Sequence, residues 1–348
     1  MTVPPPKDLS ELAPSGTLSN VEFSVEGDVK TAKIKNPIKD ERSLKPTVDD
    51  LTVSEPVTVD KIAEKLEIYG GAIVKNHLSE EIVDKMWDDI SPHFKKRTWN
   101  GDFFPQETLR VTATVCKSKT VAEDFMCNPL FMELCARFIG KKNTFVIGDE
   151  LTTAYSEPQH CSSTLLSIGP GAKDQPYHRD DIIHHNICQY REKYEYGHET
   201  AIACAIAHNK ATKANGATRF VPGSHLWDHQ RVPKPEEAVY AEIEKGDAFF
   251  MLASCFHGGS ANTTKDEWRN MSFMFMTQGL LRQEINIFLE TPLEYFQSLS
   301  VQALKSIGVA VSQPFCGWYR DLEDPLKVMK PESSNGSDDI ENAFKLVV

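Results

Sequence analysis

The segment Gln175-Pro-Tyr-His-Arg-Asp-Asp181 sets an imidazole and a carboxylate two residues apart. In a strand, alternate residues share a face, so His178 and Asp180 point one way while Arg179 and Asp181 point the other. A His and an Asp side by side offer a divalent metal two adjacent ligands, and a facial triad needs a third from elsewhere. The candidate is His257, in Met251-Leu-Ala-Ser-Cys-Phe-His-Gly-Gly-Ser260, where the glycines relieve crowding around a close approach of backbone. Twelve residues later Arg269 heads the apolar run Asn270 to Met276. An arginine there is costly unless it meets an anion, and its planar fork suits a carboxylate. The pattern reads as a metal centre with an anion anchor.

Each residue alone has a plainer reading. His178 could be a solvated histidine of an Asp-rich loop, and Arg269 could pair with Asp266 or Glu267. Strand alternation turns Asp181, the rival carboxylate, to solvent or to a supporting role. His184 and His185 are adjacent and cannot both face inward from regular structure, so at most one reaches a substrate. His225-Leu-Trp-Asp-His229 has a zinc-like spacing if helical, but it lacks the Glu of H-E-x-x-H and follows the turn signal Pro222-Gly223. These histidines are expected to order a loop.

The positioning elements follow from periodicity. Apolar residues at helical spacing predict helices at about 58–69, 79–96, 121–139 and 290–307. Ser79 and Thr120 are expected as N-caps, and Gly70 and Gly140 as stops. From about 144 to 280 the texture changes to short β-type runs: 144–147, 164–168, 201–207, 248–252 and 271–276. Gly169-Pro170-Gly171, Asn215-Gly216, Pro222-Gly223, Gly246-Asp247 and Gly258-Gly259 separate them as turns. A mainly β core with flanking helices is the simplest architecture. Residues 1–52, polar and proline-rich, are expected to be disordered or laid over the surface, and 329–348 form a second polar tail.

The chain has 348 residues and a formal net charge of −12. Residues 171–282 carry a balance of only −1, against −6 for 1–170 and −5 for 283–348. The acidity belongs to the flanks, so Arg269 and a bound cation could still make a locally positive pocket. The charge, with no basic run beyond Lys95-Lys96-Arg97, argues against nucleic acid and anionic membrane as partners. No apolar stretch approaches the roughly 18–20 residues of a membrane span. The first residues have neither the basic nor the apolar region of a secretory signal. The eight cysteines are dispersed without a C-x-x-C pair, as expected of free thiols in a reducing compartment. The expected location is cytoplasmic.

With these residues in view, the chain resembles the phytanoyl-CoA dioxygenase-like branch of the Fe(II)/2-oxoglutarate-dependent oxygenases. The resemblance rests on His178-Arg-Asp180, on Asn215-Gly-Ala-Thr-Arg-Phe-Val-Pro-Gly-Ser-His225, and on Lys245-Gly-Asp-Ala-Phe-Phe250, the run leading to His257 and Arg269. It covers about 57–280, and Gly317-Trp-Tyr-Arg320 looks like the C-terminal part of fungal natural-product members. It implies a double-stranded β-helix (jelly roll, cupin-like) within a dioxygenase domain at 53–328, with its core at about 144–280. It also implies Fe(II) on His178, Asp180 and His257, and Arg269 on the distal carboxylate of 2-oxoglutarate. Gln175 and Thr218 match positions that often contact this co-substrate. Halide-transferring relatives vacate a ligand position with a small residue; Asp180 makes halogenation unfavourable here.

The expected reaction turns 2-oxoglutarate and O2 into succinate and CO2 while oxidising an unactivated C–H of a small molecule, a secondary metabolite by resemblance. Hydroxylation, desaturation and cyclisation all remain open, and a homodimer is compatible with the group. Two other readings stand beside it: a metal-dependent hydrolase or isomerase using the same ligands, and a non-catalytic binding member of the fold. The substrate is expected to meet 95–107, with Trp99, Phe103 and Phe104, and the linker 181–200, together with Arg110 and Tyr177.

Overall fold

Caps and stops written into the sequence set most of the element boundaries in the computed structural model, which describes residues 21–26, 29–34, 43–94, 104 and 107–331. A hairpin, β1 (Val21–Glu26) and β2 (Val29–Ile34), comes first, where no regular structure was expected. The turn α1 (Val48–Leu51) is closed by a capping box between Thr47 and Asp50, and it buries Leu51. Helix α2 (Val59–Tyr69) starts at the Thr58 hydroxyl, which accepts from Lys61 N–H. It stops at Gly70, left-handed at φ 76°. A Cβ on Gly70 would stand 2.6 Å from His225 Nδ1, so this stop also permits a close approach to the 222–225 loop.

Strand β3 (Gly71–Val74) leads to α3 (Glu80–Ile90), capped by Ser79 as expected. A single 3₁₀ turn with Pro92 ends that helical stretch early. After β4 (Thr108–Thr112), the predicted helix at 121–139 is two pieces. A π-helical turn, Val121–Met126, ends before Asn128, which caps the first N–H groups of α4 (Pro129–Ile139). Pro129 has no N–H to continue a helix and suits the first position of a new one, so Asn128 is the N-cap and Thr120 makes no side-chain cap.

Eight further strands follow: β5 (Lys141–Ile147), β6 (Glu150–Ser156), β7 (Gln159–Ile168), β8 (Ala201–Ala207), β9 (Thr218–Phe220), β10 (Val239–Ala241), β11 (Ala248–Leu252) and β12 (His257–Gly259). The last strand is β13 (Arg269–Thr277), then α5 (Leu293–Gln297), α6 (Val301–Ile307) and α7 (Leu326–Met329). The periodic stretch 290–307 thus divides at Ser300, which caps α6.

The six-stranded antiparallel sheet runs β3-β11-β8-β13-β7-β4, and a three-stranded sheet β10-β9-β12 faces it. This is a double-stranded β-helix with helices packed on the outside of the large sheet. The large sheet takes β3 and β4 from before residue 144, and β5 pairs only with β6 in a separate hairpin. Strand β8 divides its two faces between the layers. Its Ile202, Cys204 and Ile206 pack into the cluster shared with the helices. The alternate residues, Ala201, Ala203, Ala205 and Ala207, face the small sheet with minimal side chains.

Buried Asp247 ties β3 to β11: it accepts from Asn76 N–H and Glu244 N–H, both at 2.9 Å, and pairs with Lys75 at 2.8 Å. All eight cysteines are free thiols. Among the described residues no helix is long and apolar enough to cross a membrane. Phe250 of β11 is fully buried against Phe131 of α4 and the edge of His77. Phe250→Ala is expected to destabilise the chain by about 3–5 kcal/mol, read from urea unfolding.

Candidate active site

The site forms where the small sheet gains a short extra strand. His178 and His257 exchange both backbone hydrogen bonds, at 3.0 and 2.9 Å, as an isolated antiparallel bridge. Such a pair sends its two side chains to the same face, and the rings stand 4.4 Å apart between centroids. The regular strand expected through Asp181 ends there, because Asp180 opens a 3₁₀ turn, Asp180–His184. Asp180 N–H is held by Ala253 O at 2.9 Å, which brings its carboxylate between the rings. Asp180 Oδ1 lies 3.5 Å from His178 Nε2 and Oδ2 lies 3.3 Å from His257 Nε2. One ligand atom from each residue falls within 4.8 Å of the others.

Both imidazoles are oriented the same way. His178 Nδ1 donates to Pro176 O at 2.9 Å, and His257 Nδ1 to Cys255 O at 3.1 Å. A carbonyl only accepts, so the proton sits on Nδ1 and the Nε2 lone pair faces Asp180. Burial opposes charge on Asp180, but the imidazoles, when protonated and donating from Nε2, outweigh it and hold the carboxyl below the usual range; a divalent cation would take the place of those Nε2 protons. Burial also opposes charge on His257, and the Asp180 carboxylate nonetheless raises its pKa. Two neutral nitrogens and one anionic oxygen on one side of a small space fit a divalent metal with open positions opposite.

Two residues along β12, about 7 Å in a strand, lies a second polar row. Gly259 pairs with Thr218 on one side, and on the other its N–H donates to Gln175 Oε1 at 3.0 Å. Arg269 meets this row from the opposite sheet. Its guanidinium is fully buried and forms no ion pair with Asp266 or Glu267; Nε donates to Gly216 O at 2.9 Å, while Nη1 has no partner. Burial lowers its pKa to about 10, so it stays cationic at neutral pH. A Cβ on Gly259 would stand 3.9 Å from Arg269 Nη2. The bare Gly259 leaves space beside this guanidinium, and a small carboxylate there would satisfy the buried cation. Thr218 is buried there, its hydroxyl engaged only by the Met271 sulfur at 4.0 Å.

The metal group and this row share one cavity of about 430 Å³. Phe104 and Arg110 line it, as do Ile182 and Ile183 of the 181–200 linker. His184 and His185 do not: His184 Nε2 meets Arg282 O, and His185 is exposed. Tyr177 instead lies under Arg219 at 4.2 Å. Trp99 and Phe103 fall outside the described residues. His225 and His229 order loops, through Glu67 O at 3.1 Å and Cys188 O at 3.2 Å.

Arg179 and Asp181 do not face solvent; both are buried. Arg179, between two candidate ligands, stacks on Phe256, the residue before the third, at 4.2 Å. Its Nη2 donates to Ser224 O at 2.7 Å and Trp227 O at 3.3 Å, while Ser224 Oγ accepts from Phe256 N–H at 2.8 Å. Arg219 clamps the other approach through Asp174 at 3.0 Å and Gln175 O at 2.7 Å. Asp181 accepts from Asn186 at 2.7 Å, and burial raises its pKa to about 6. Buried Glu199, held by the Ser254 hydroxyl at 2.8 Å, is pushed by burial to about 8. The sequence reading missed Arg179, Arg219 and Glu199, whose roles arise from contacts distant in sequence.

Comparison with known proteins follows the same lines. The phytanoyl-CoA dioxygenase (PhyH) family model matches residues 66–271. An uncharacterized protein of Saccharomyces cerevisiae, YJR154W, is 35% identical over 84% of this chain and 85% of its own length. Dioxygenase peniF of Penicillium patulum is 35% identical over 81% of this chain and 92% of its own. The structure of the epimerase SnoN in complex with Fe3+, alpha ketoglutarate and nogalamycin RO superposes with a TM-score of 0.48 at 17% identity, covering 67% of this chain and 90% of that one.

Arg179→Met should keep the packed stem and lose the fork. Its Co(II) affinity, measured by calorimetry, is expected to fall roughly 10–100-fold, the usual cost of losing an outer-shell partner. Glu199 gives a pH signature. The folded chain keeps its proton up to about pH 8, whereas the unfolded chain releases it near 4.5, so this contribution to stability is full below 4.5 and lost as pH rises through 8. Glu199→Gln should flatten the melting temperature across that window.

Proposed function

The chain belongs to the phytanoyl-CoA dioxygenase family, and from that premise we propose that it is an Fe(II)- and 2-oxoglutarate-dependent oxygenase. It acts on an unactivated C–H bond of a small organic molecule, a secondary metabolite by class. One observation carries this reading. A two-His, one-carboxylate group and a buried guanidinium with an unpartnered Nη1 face one cavity from rows two residues apart. That spacing is the scale of a five-carbon dicarboxylate.

His178, Asp180 and His257 would hold iron, and Arg269 the distal carboxylate of 2-oxoglutarate. Iron held by these residues would supply the redox chemistry that couples oxidation of the substrate by O2 to conversion of 2-oxoglutarate into succinate and CO2. The two Nδ1–H bonds keep the imidazoles neutral and aimed. Gly259 leaves the co-substrate its room, and Thr218 offers a hydroxyl beside it. Gln175 acts through the backbone, because its Oε1 is engaged by Gly259 N–H. The low-dielectric wall around Arg269 strengthens its pull on a carboxylate and orients the co-substrate along the cavity.

Chain reconstituted with Fe(II) is expected to release succinate slowly from 2-oxoglutarate without added substrate, and only under O2. Its absence with screened substrates present would favour a hydrolase or isomerase. Asp180→Ala should lose metal while Asp181→Asn retains it, measured by calorimetry with Ni(II). Arg269→Ala should raise the 2-oxoglutarate KM on the order of 10–100-fold, as expected for a charged hydrogen bond of about 1.5–3 kcal/mol.

A further inference from the structure

Beyond the Arg269 end, the inner face of the large sheet changes character in a fixed order. Register aligns Arg269 with Ile168, Met271 with Leu166, Phe273 with Thr164, and Phe275 with Ser162. Alternate residues share a face, so these rows form one wall, and Phe273 and Phe275 both line the cavity. Each is only half-buried, and their rings lie 6.2 Å apart and 12° from parallel. Two nearly parallel phenyl rings make an apolar platform that suits an aromatic ring.

The next polar group past that platform is an anion. Ser162 Oγ donates to Glu284 Oε2 at 2.6 Å, and Glu284 lines the same cavity. Among the described residues no Lys, Arg or His side chain forms an ion pair with it. An ionised carboxylate only accepts, so whatever meets it must donate, and a cationic donor gains most. The exposed cations that line the cavity are Lys173, in the loop after Ile168, and Arg110, whose guanidinium lies over the Phe104 ring at 5.0 Å in the row of Leu166; both are nearer the Arg269 end. The wall therefore runs from cation to aromatic to anion.

On the footing of the oxygenase reading, we propose that the substrate is an amine-bearing aromatic or polycyclic molecule, its ring on Phe273 and Phe275 and its protonated nitrogen on Glu284. This gives the substrate a direction. Its ring lies along the wall on the Arg269 side of Glu284, and its ammonium is held at the end of the wall opposite Arg269.

Calorimetry with three probes sharing one ring tests this: tryptamine, tryptophol and indole-3-propionate, cationic, neutral and anionic. Each is titrated into the full chain, metal-free and loaded with Ni(II) and 2-oxoglutarate. Tryptamine should bind on the order of tenfold tighter than the other two. Glu284→Gln should remove that preference while changing tryptophol affinity less than twofold, and Phe275→Ala should weaken all three. No measurable binding of any probe, no preference for the amine, or a preference that survives in Glu284→Gln overturns the proposal. Tightest binding of indole-3-propionate, lost in Arg110→Met, would overturn it in favour of an anionic substrate. Neither the phenylalanines nor Glu284 belong to the ligand group, so binding is read in both forms. Failure of the oxygenase reading shows separately, as absence of O2-dependent succinate.

Discussion

The reciprocal backbone hydrogen bonds between His178 and His257 are the constraint on which the site depends. They fix two rings from segments 79 residues apart on one face at one separation. Each ring is then turned by a carbonyl of its own chain two residues back, Pro176 O and Cys255 O. Symmetry of this kind makes the pair insensitive to side-chain choice elsewhere, provided that the bridge holds. Two buried arginines secure it, Arg219 on the approach to His178 and Arg179 across to Phe256. Asp180, outside any strand, can then be placed by a single bond to Ala253 O.

Burying charge is costly unless it is paired, and the chain resolves this differently on the two sides of the ligand segment. Behind it, Arg179 is enclosed by the carbonyl oxygens of Ser224 and Trp227 and the face of Phe256, with the Asp181 carboxyl nearby. In front, Arg269 keeps an unmatched donor facing the cavity. Each guanidinium leaves one buried nitrogen without a partner, Nε of Arg179 and Nη1 of Arg269. They differ in what the remaining nitrogens hold: Arg179 joins the 224–227 loop to the ligand segment by two carbonyl bonds, whereas Arg269 has one, to Gly216 O.

Much of this was legible in the sequence, but for uneven reasons. His178, Asp180, His257 and Arg269 stood out because their types are costly in apolar surroundings without partners. Strand alternation would pair His178 with Asp180, but the residues meet instead across the start of a 3₁₀ turn. The block from Asn215 to His225 carried a resemblance without a reason. Gly216 O meets Arg269, Arg219 clamps Gln175 O, Ser224 holds Phe256, and His225 reaches the end of α2. Phe273 and Phe275 could have been found, since they share the parity of Arg269 in one strand. Glu284 could not, because it lies in a loop past that strand, where no periodicity relates it to Ser162. The break before α4 was written plainly in Asn128-Pro129.

The alanine face of β8 separates two properties that are often tied together. The placement of the candidate ligands is set by a bridge in the small sheet, whereas along β8 Ala201 lines the cavity and Ala205 and Ala207 close its far end by packing with Phe220 and Phe249. Interiors register even one added methylene, so a larger side chain at 201 would reshape the cavity, one at 205 or 207 would strain the core, and neither would touch the bridge.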